Sequence, residues 1–135
     1  MNSKPVLSIA DVDAMLAAAR AHATTKGWAV TISIVDDGGH LLGLARLDGA
    51  APVSAHIAPA KAHTAALGQR DSAAYEKMIN DGRVAFLSAP HIAGMLGGGV
   101  PITVERHVVG AIGVSGAKPE EDVEVAHAGI AALKA

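Results

Sequence analysis

Two basic residues are candidates for binding an anion in a cleft. Arg46 ends the second strand of a predicted hairpin, and Lys61 lies in an otherwise apolar, alanine-rich helix. If both point inward, they can hold a carboxylate or a propionate, because guanidinium and ammonium groups pair with carboxylates. The alternative is a surface ion pair between Arg46 and Asp48, with the Lys61 ammonium reaching water along its apolar stem.

Three of the seven histidines are candidate haem ligands, namely His22, His56 and His63. His56 and His63 are seven positions apart on one predicted helix, which places them near the same face, about 10 Å apart. That separation is too large for one small ion, so we predict no tetrahedral metal site. Either residue alone can ligate a haem iron or transfer a proton, or be an ordinary polar residue on a helix surface.

Glycine is concentrated near two predicted strands, at Gly97, Gly98, Gly99, Gly110 and Gly113. Glycine weakens a strand, so each position needs a reason: a bulge, a tight bend, or a ligand lying against the backbone. The last of these reasons makes the run Gly97–Gly99 a candidate ligand-binding segment.

Other sequence patterns give no support for a catalytic or nucleotide-binding site. Asp36 and Asp37 are explained by a turn, since aspartate stabilises turns locally. The segment Gly113–Ala117 lacks the second glycine of a nucleophile elbow, and the glycine run matches no nucleotide-binding loop. We assign no catalytic residue from the sequence.

The elements that position these residues follow no repeating strand–helix–strand order. This order favours an antiparallel sheet with helices packed on it, an α+β fold, in a single domain over residues 1–135. The predicted helices are Ile9–Lys26, Ile57–Leu67 with Pro59 in its first turn, a short helix that starts at Asp71 or Ser72 and runs to Ile79, and Pro119 to about Leu133. The predicted strands are Ala29–Asp36, His40–Leu47, Val100–Glu105 and Val108–Ser115, with a further short strand at Val84–Leu87.

Composition excludes several classes of function. The chain has a net charge of −2, no cysteine and three aromatic residues. Nothing indicates a nucleic-acid or membrane partner, and neither a disulfide nor a thiol nucleophile is possible. No apolar run reaches the length of a signal peptide or a membrane span, so we expect a cytoplasmic protein.

With these residues in view, the chain resembles the GlcG/HbpS-like family, also called the haem-degrading domain family, which includes the C-terminal domain of PduO-type proteins. The matching segments recur in order over nearly the whole chain: Ile34–Leu41, Arg46–Ala50, Ala60–Ala62, Gly97–Ile102 and Val109–Gly116. The resemblance implies a profilin-like, three-layer αβα arrangement with a five-stranded antiparallel sheet, assembled as a homo-oligomer. Arg106 and His107 stand in a hairpin turn where relatives commonly have glycine.

The resemblance favours a haem-binding protein that assists haem degradation or storage, with Arg46 and Lys61 as partners for the propionates. The low aromatic content argues against a haem pocket built by one chain, and subunit interfaces can form it instead. Two alternatives stay open. One is a carboxylate-handling enzyme or accessory protein of a catabolic operon, and the other is a non-catalytic scaffold whose flat sheet packs on copies of itself.

Overall fold

The computed structural model describes residues 1–134 as four α-helices, a short 3₁₀ helix and a four-stranded sheet. In chain order the elements are α1 (Ile9–Lys26), β1 (Thr31–Asp36), β2 (Leu41–Arg46), α2 (Ser54–Gly68), α3 (Ser72–Asn80), the 3₁₀ helix Val84–Ser88, β3 (Gly99–Val104), β4 (His107–Ser115) and α4 (Pro119–Ile130). None of the helices in this part of the chain is long and apolar enough to cross a membrane.

The sheet is antiparallel throughout, with strand order β2-β1-β4-β3. The predicted α+β class is therefore confirmed, but the predicted five strands are wrong, because the structure has four. The segment Val84–Leu87 forms a 3₁₀ helix instead of a strand. Its backbone closes local turns, with the Phe86 amide donating to Arg83 and the Ala89 amide to Phe86.

Helices cover both faces of the sheet, but the two interfaces have different side chains. α1 and α4 pack on one face through Val, Ile and Met side chains, including Met15, Ile32 and Ile112. α2 packs on the other face, where the buried cluster is mostly alanine, with Ala62 against Ala111. The small side chains let α2 lie closer to the sheet than larger residues would allow.

Gly113 of β4 shows how close this approach is. A Cβ atom at Gly113 would lie 2.1 Å from the Ala58 carbonyl oxygen and 2.5 Å from the Ala62 amide nitrogen. Both are backbone atoms of α2, so no side-chain rotation can make room. The glycine in the middle of this strand is therefore explained by the chain's own helix and not by a ligand.

The β3–β4 hairpin turns on Glu105 and Arg106, which have φ angles of 50° and 69°. Two residues with positive φ define the type I′ turn that best matches the twist of a hairpin. Glycine or asparagine usually occupies such positions, because other side chains are strained there. Arg106 lies in this turn as the sequence predicted, whereas His107 is the first residue of β4 and not part of the turn.

α2 begins at Ser54, three residues before the predicted start, so Pro59 lies in its second turn and not in its first. Ser54 is buried, and its hydroxyl lies 2.7 Å from Thr31 Oγ1 of β1 and 2.5 Å from the Ala51 carbonyl oxygen. Proline inside a helix removes one backbone hydrogen bond. Burial of the alanine face of α2 against the sheet offsets this loss.

The start of α1 is fixed by a capping box. Ser8 Oγ accepts from the Asp11 amide at 3.1 Å, and Asp11 Oδ2 accepts from the Ser8 amide at 2.8 Å. The amide of Ser8 lowers the pKa of the Asp11 carboxyl, so this half of the box is lost as the pH falls through that pKa.

Replacing Ser8 by alanine is expected to lower the free energy of unfolding by about 1 kcal/mol, because one amide at the helix start loses its acceptor. Urea denaturation followed by circular dichroism measures the change. Ser8→Asp keeps an acceptor at this position and is expected to retain most of the stability. Equal losses in both variants would contradict the role of the cap.

Candidate functional site

The outer strand β2 carries apolar side chains that no helix covers. Leu44 pairs with Ser33 and Leu41 pairs with Val35, which itself packs on Ala62 of α2. Paired residues of neighbouring strands project from the same face, so Leu41 and Leu44 lie on the α2 side of the sheet. They are 58% and 39% exposed. We call Leu41 and Leu44 the β2 apolar strip.

His63 lies close to one end of this strip. It projects from α2 toward the β1–β2 turn, where its Nδ1 is 3.0 Å from the carbonyl oxygen of Gly39. A carbonyl only accepts, so Nδ1 carries the hydrogen, and in the neutral imidazole Nε2 keeps its lone pair. Histidines that bind metals typically donate the other ring N–H in this way, which fixes the tautomer and the ring orientation.

The other two candidate histidines do not have a ring held in place with Nε2 available for iron. His56 is exposed on α2, and no hydrogen bond holds its ring among residues 1–134. His22 on α1 already uses Nε2, which lies 2.7 Å from Glu124 Oε2 of α4. This hydrogen bond lowers the pKa of the Glu124 carboxyl. Of the three, only His63 combines partial burial with a ring anchored through Nδ1.

Lys61 is buried in an ion pair. It is 4% exposed, and its Nζ donates to the Val114 carbonyl at 2.9 Å and to Asp122 Oδ2 at 3.1 Å. Asp122 Oδ1 accepts from the Ala117 amide at 3.0 Å. Burial raises the pKa of the Asp122 carboxyl, and the nearby Lys61 ammonium opposes this effect. The pair joins α2, β4 and the start of α4, and leaves neither side chain free for a ligand.

Asp122 was not identified from the sequence as the partner of Lys61. The signal that points to it is Lys61 itself. A lysine among alanines on a helix face that packs on a sheet needs a carboxylate, because an unpaired buried charge is costly.

Gly98 and Gly99 pack against Lys61 and not against an open cavity. A Cβ atom at Gly98 would lie 2.7 Å from Lys61 Nζ, and one at Gly99 would lie 2.3 Å from the Lys61 carbonyl oxygen. The space left by these two glycines is filled by the chain itself. Gly97 differs, since it lines a surface groove of about 650 Å³ between α3 and α4, and its amide donates to Glu76 Oε1 at 2.7 Å.

Arg46 lies apart from Lys61, so the structure does not bring the two predicted anion partners together. Arg46 lines a cleft of about 490 Å³ with Arg20, Trp28 and Asp48, and Lys61 does not line it. Its Nε donates to the Ala50 carbonyl at 3.3 Å. The predicted alternative of an Arg46–Asp48 ion pair is also absent among residues 1–134.

A four-stranded antiparallel sheet between helices defines an α+β domain, and the anchored histidine beside an apolar edge strand marks a candidate ligand site at the margin of its sheet. The family model of "Haem degrading protein HbpS-like" matches residues 7–131. The chain belongs to this family, as the sequence resemblance indicated.

Relatives and solved structures agree with this assignment. The chain is 47% identical to "Protein GlcG" of Escherichia coli strain K12 over 115 residues, which cover 85% of each protein. It superposes on the crystal structure of HbpS with a TM-score of 0.90 at 29% identity, covering 100% of this chain and 95% of that one. It superposes on the crystal structure of a PduOC:heme complex with a TM-score of 0.87 at 28% identity, covering 96% of each chain.

Proposed function

We propose that this chain binds haem on the α2 side of β2, with His63 as the axial ligand of the iron. The observation that carries the proposal is the His63 imidazole, which Gly39 holds through Nδ1 so that Nε2 stays free, beside the uncovered β2 apolar strip. Support also comes from the similarity to the PduOC:heme complex.

The residues around His63 fit the chemistry of haem. Leu41 and Leu44 offer apolar surface to the macrocycle, and Arg46 at the end of the same strand offers a cation to a propionate. Lys61 has no part in this site, because its ammonium is already paired with Asp122. Bound haem would supply an iron centre, and the role of the chain would be to hold it for storage or degradation.

The proposed site is open on one side. Aromatic side chains that commonly close haem pockets are scarce, since the chain has one Trp, one Tyr and one Phe. A second copy of the chain in a homo-oligomer can cover the open face. Native mass measured with and without haem reports whether the oligomer and the haem complex form together.

Replacing His63 by alanine is expected to weaken haem binding at least about tenfold and to remove the spectral signature of a histidine-ligated iron. The measurement is a titration of the protein with haem followed by the Soret band. His56→Ala is the matched control, because His56 lies on the same helix but is exposed and unanchored. The affinity of His56→Ala for haem is expected to equal that of the unchanged chain.

Two results would overturn the proposal. If the unchanged chain shifts no Soret band, it does not bind haem in this way. If His63→Ala folds normally by circular dichroism and still gives the native spectrum, the axial ligand is another residue.

A further inference from the structure

We propose that the cleft between the end of α1 and the end of β2 binds a monocarboxylate with an apolar or aromatic body. The cleft holds about 490 Å³ and is lined by residues of α1, the segment after it, and the end of β2. This inference does not rest on haem binding, although Arg46 is shared with the proposed haem site.

Two guanidinium groups line this cleft without a carboxylate partner. Arg20 comes from α1 and Arg46 from β2, so two separate elements bring them to one space. Among residues 1–134, neither side chain forms an ion pair, and Arg46 donates only through Nε to Ala50. Arginine presents its N–H groups as a planar fork that matches a carboxylate. The two side chains are therefore free to bind an anion from solution.

The net charge of the cleft favours a single negative charge on the ligand. Asp48 also lines the cleft, so two cationic groups face one anionic group. A monoanion balances the remaining positive charge, whereas a second negative group on the ligand would be repelled by Asp48.

Trp28 gives the cleft an apolar wall. Its indole is half-buried and lines the same space as the two arginines. Gly27 ends α1 with a φ angle of 74° and presents no side chain that would fill the entrance. An organic anion can place its carboxylate on the arginines and its apolar body on the indole, which inorganic phosphate cannot do.

The cleft can be tested directly because Trp28 is the one tryptophan of the chain. Benzoate, added to the haem-free protein, is expected to change the intrinsic fluorescence in a saturable way. Benzamide, its neutral counterpart, is expected to bind at least about tenfold more weakly, because it lacks the charge that the arginines recognise. Inorganic phosphate at the same ionic strength serves as the anion without an apolar body.

Arg46→Ala and Arg20→Ala are each expected to weaken benzoate binding about tenfold or more. Arg46→Lys keeps the positive charge but loses the planar guanidinium, so its affinity for benzoate is expected to lie between those of Arg46→Ala and the unchanged chain. Arg106→Ala is the control, since this arginine is exposed in the β3–β4 turn and does not line the cleft. Circular dichroism confirms that each variant is folded.

The results separate this proposal from the haem proposal. His63→Ala is expected to bind benzoate like the unchanged chain, so a loss of haem binding leaves the cleft intact. The inference is overturned if benzoate gives no saturable response, if Arg46→Ala and Arg20→Ala bind it unchanged, or if phosphate and benzamide bind as tightly.

Discussion

Gly113→Val is expected to lower the free energy of unfolding by about 3 kcal/mol or more, a large part of the total stability of a small domain. Valine favours strands, so local propensity alone predicts a gain in stability. The structure predicts the opposite sign, because a Cβ at Gly113 meets the backbone of α2 at 2.1 Å from the Ala58 oxygen. The helix would have to move off the sheet to admit the side chain.

Gly97→Ala is the matched control for this prediction. The nearest atom to its new Cβ, apart from the two adjacent residues, would be in the Pro119 side chain at 3.2 Å. A small shift of that side chain accommodates the Cβ. We expect a loss below about 1 kcal/mol. Urea denaturation compares the variants, and Gly113→Ala provides a smaller change if the valine variant does not fold. A valine variant as stable as the unchanged chain would contradict the close contact between α2 and β4.

Asp122→Ala is expected to destabilise the chain by about 3–5 kcal/mol, because it leaves the Lys61 ammonium buried without its carboxylate. Lys61 and Asp122 are 4% and 2% exposed, so water cannot replace the lost partner without a structural change. The free energy of unfolding in urea measures the loss.

Two further variants separate a buried-charge effect from a simple loss of contacts. The double variant Lys61→Met with Asp122→Leu removes both charges and is expected to recover most of the stability. Asp81→Ala breaks the exposed Lys77–Asp81 pair and is expected to change the stability little, because water screens exposed charges. If the double variant is as unstable as Asp122→Ala, the isolated charge is not the cause.

Much of the fold could be predicted because its signals are local. The alternating β-branched residues, the turns and the capping residues predicted both hairpins and three of the helices to within a few residues. The fourth helix, α2, was placed correctly but begins earlier, because the hydrogen bond between Ser54 and Thr31 joins residues that are distant in sequence. The error at Val84–Leu87 has a similar origin, since strand formation depends on an available partner strand.

The site was less predictable because it depends on which residues share a space. Arg46 ends β2 and Lys61 lies in the next helix, and no short sequence pattern near either residue shows that Asp122 pairs with Lys61. Likewise, no short pattern shows that the Gly39 carbonyl meets His63 across 24 residues. The assignment of ligand-binding roles to Arg46, Lys61, Gly97, Gly98 and Gly99 stays a prediction, and the geometry supports it best at Arg46.

The alanine-on-glycine contact between α2 and β4 also limits where new functions can arise in this domain. Most side chains between this helix and the sheet are alanines, so shortening them removes little volume and mutation cannot easily create a binding cavity beneath the helix. Variation in ligand choice among homologous chains should therefore be concentrated along the border of the sheet, where β2 runs beside α2, while the centre stays fixed.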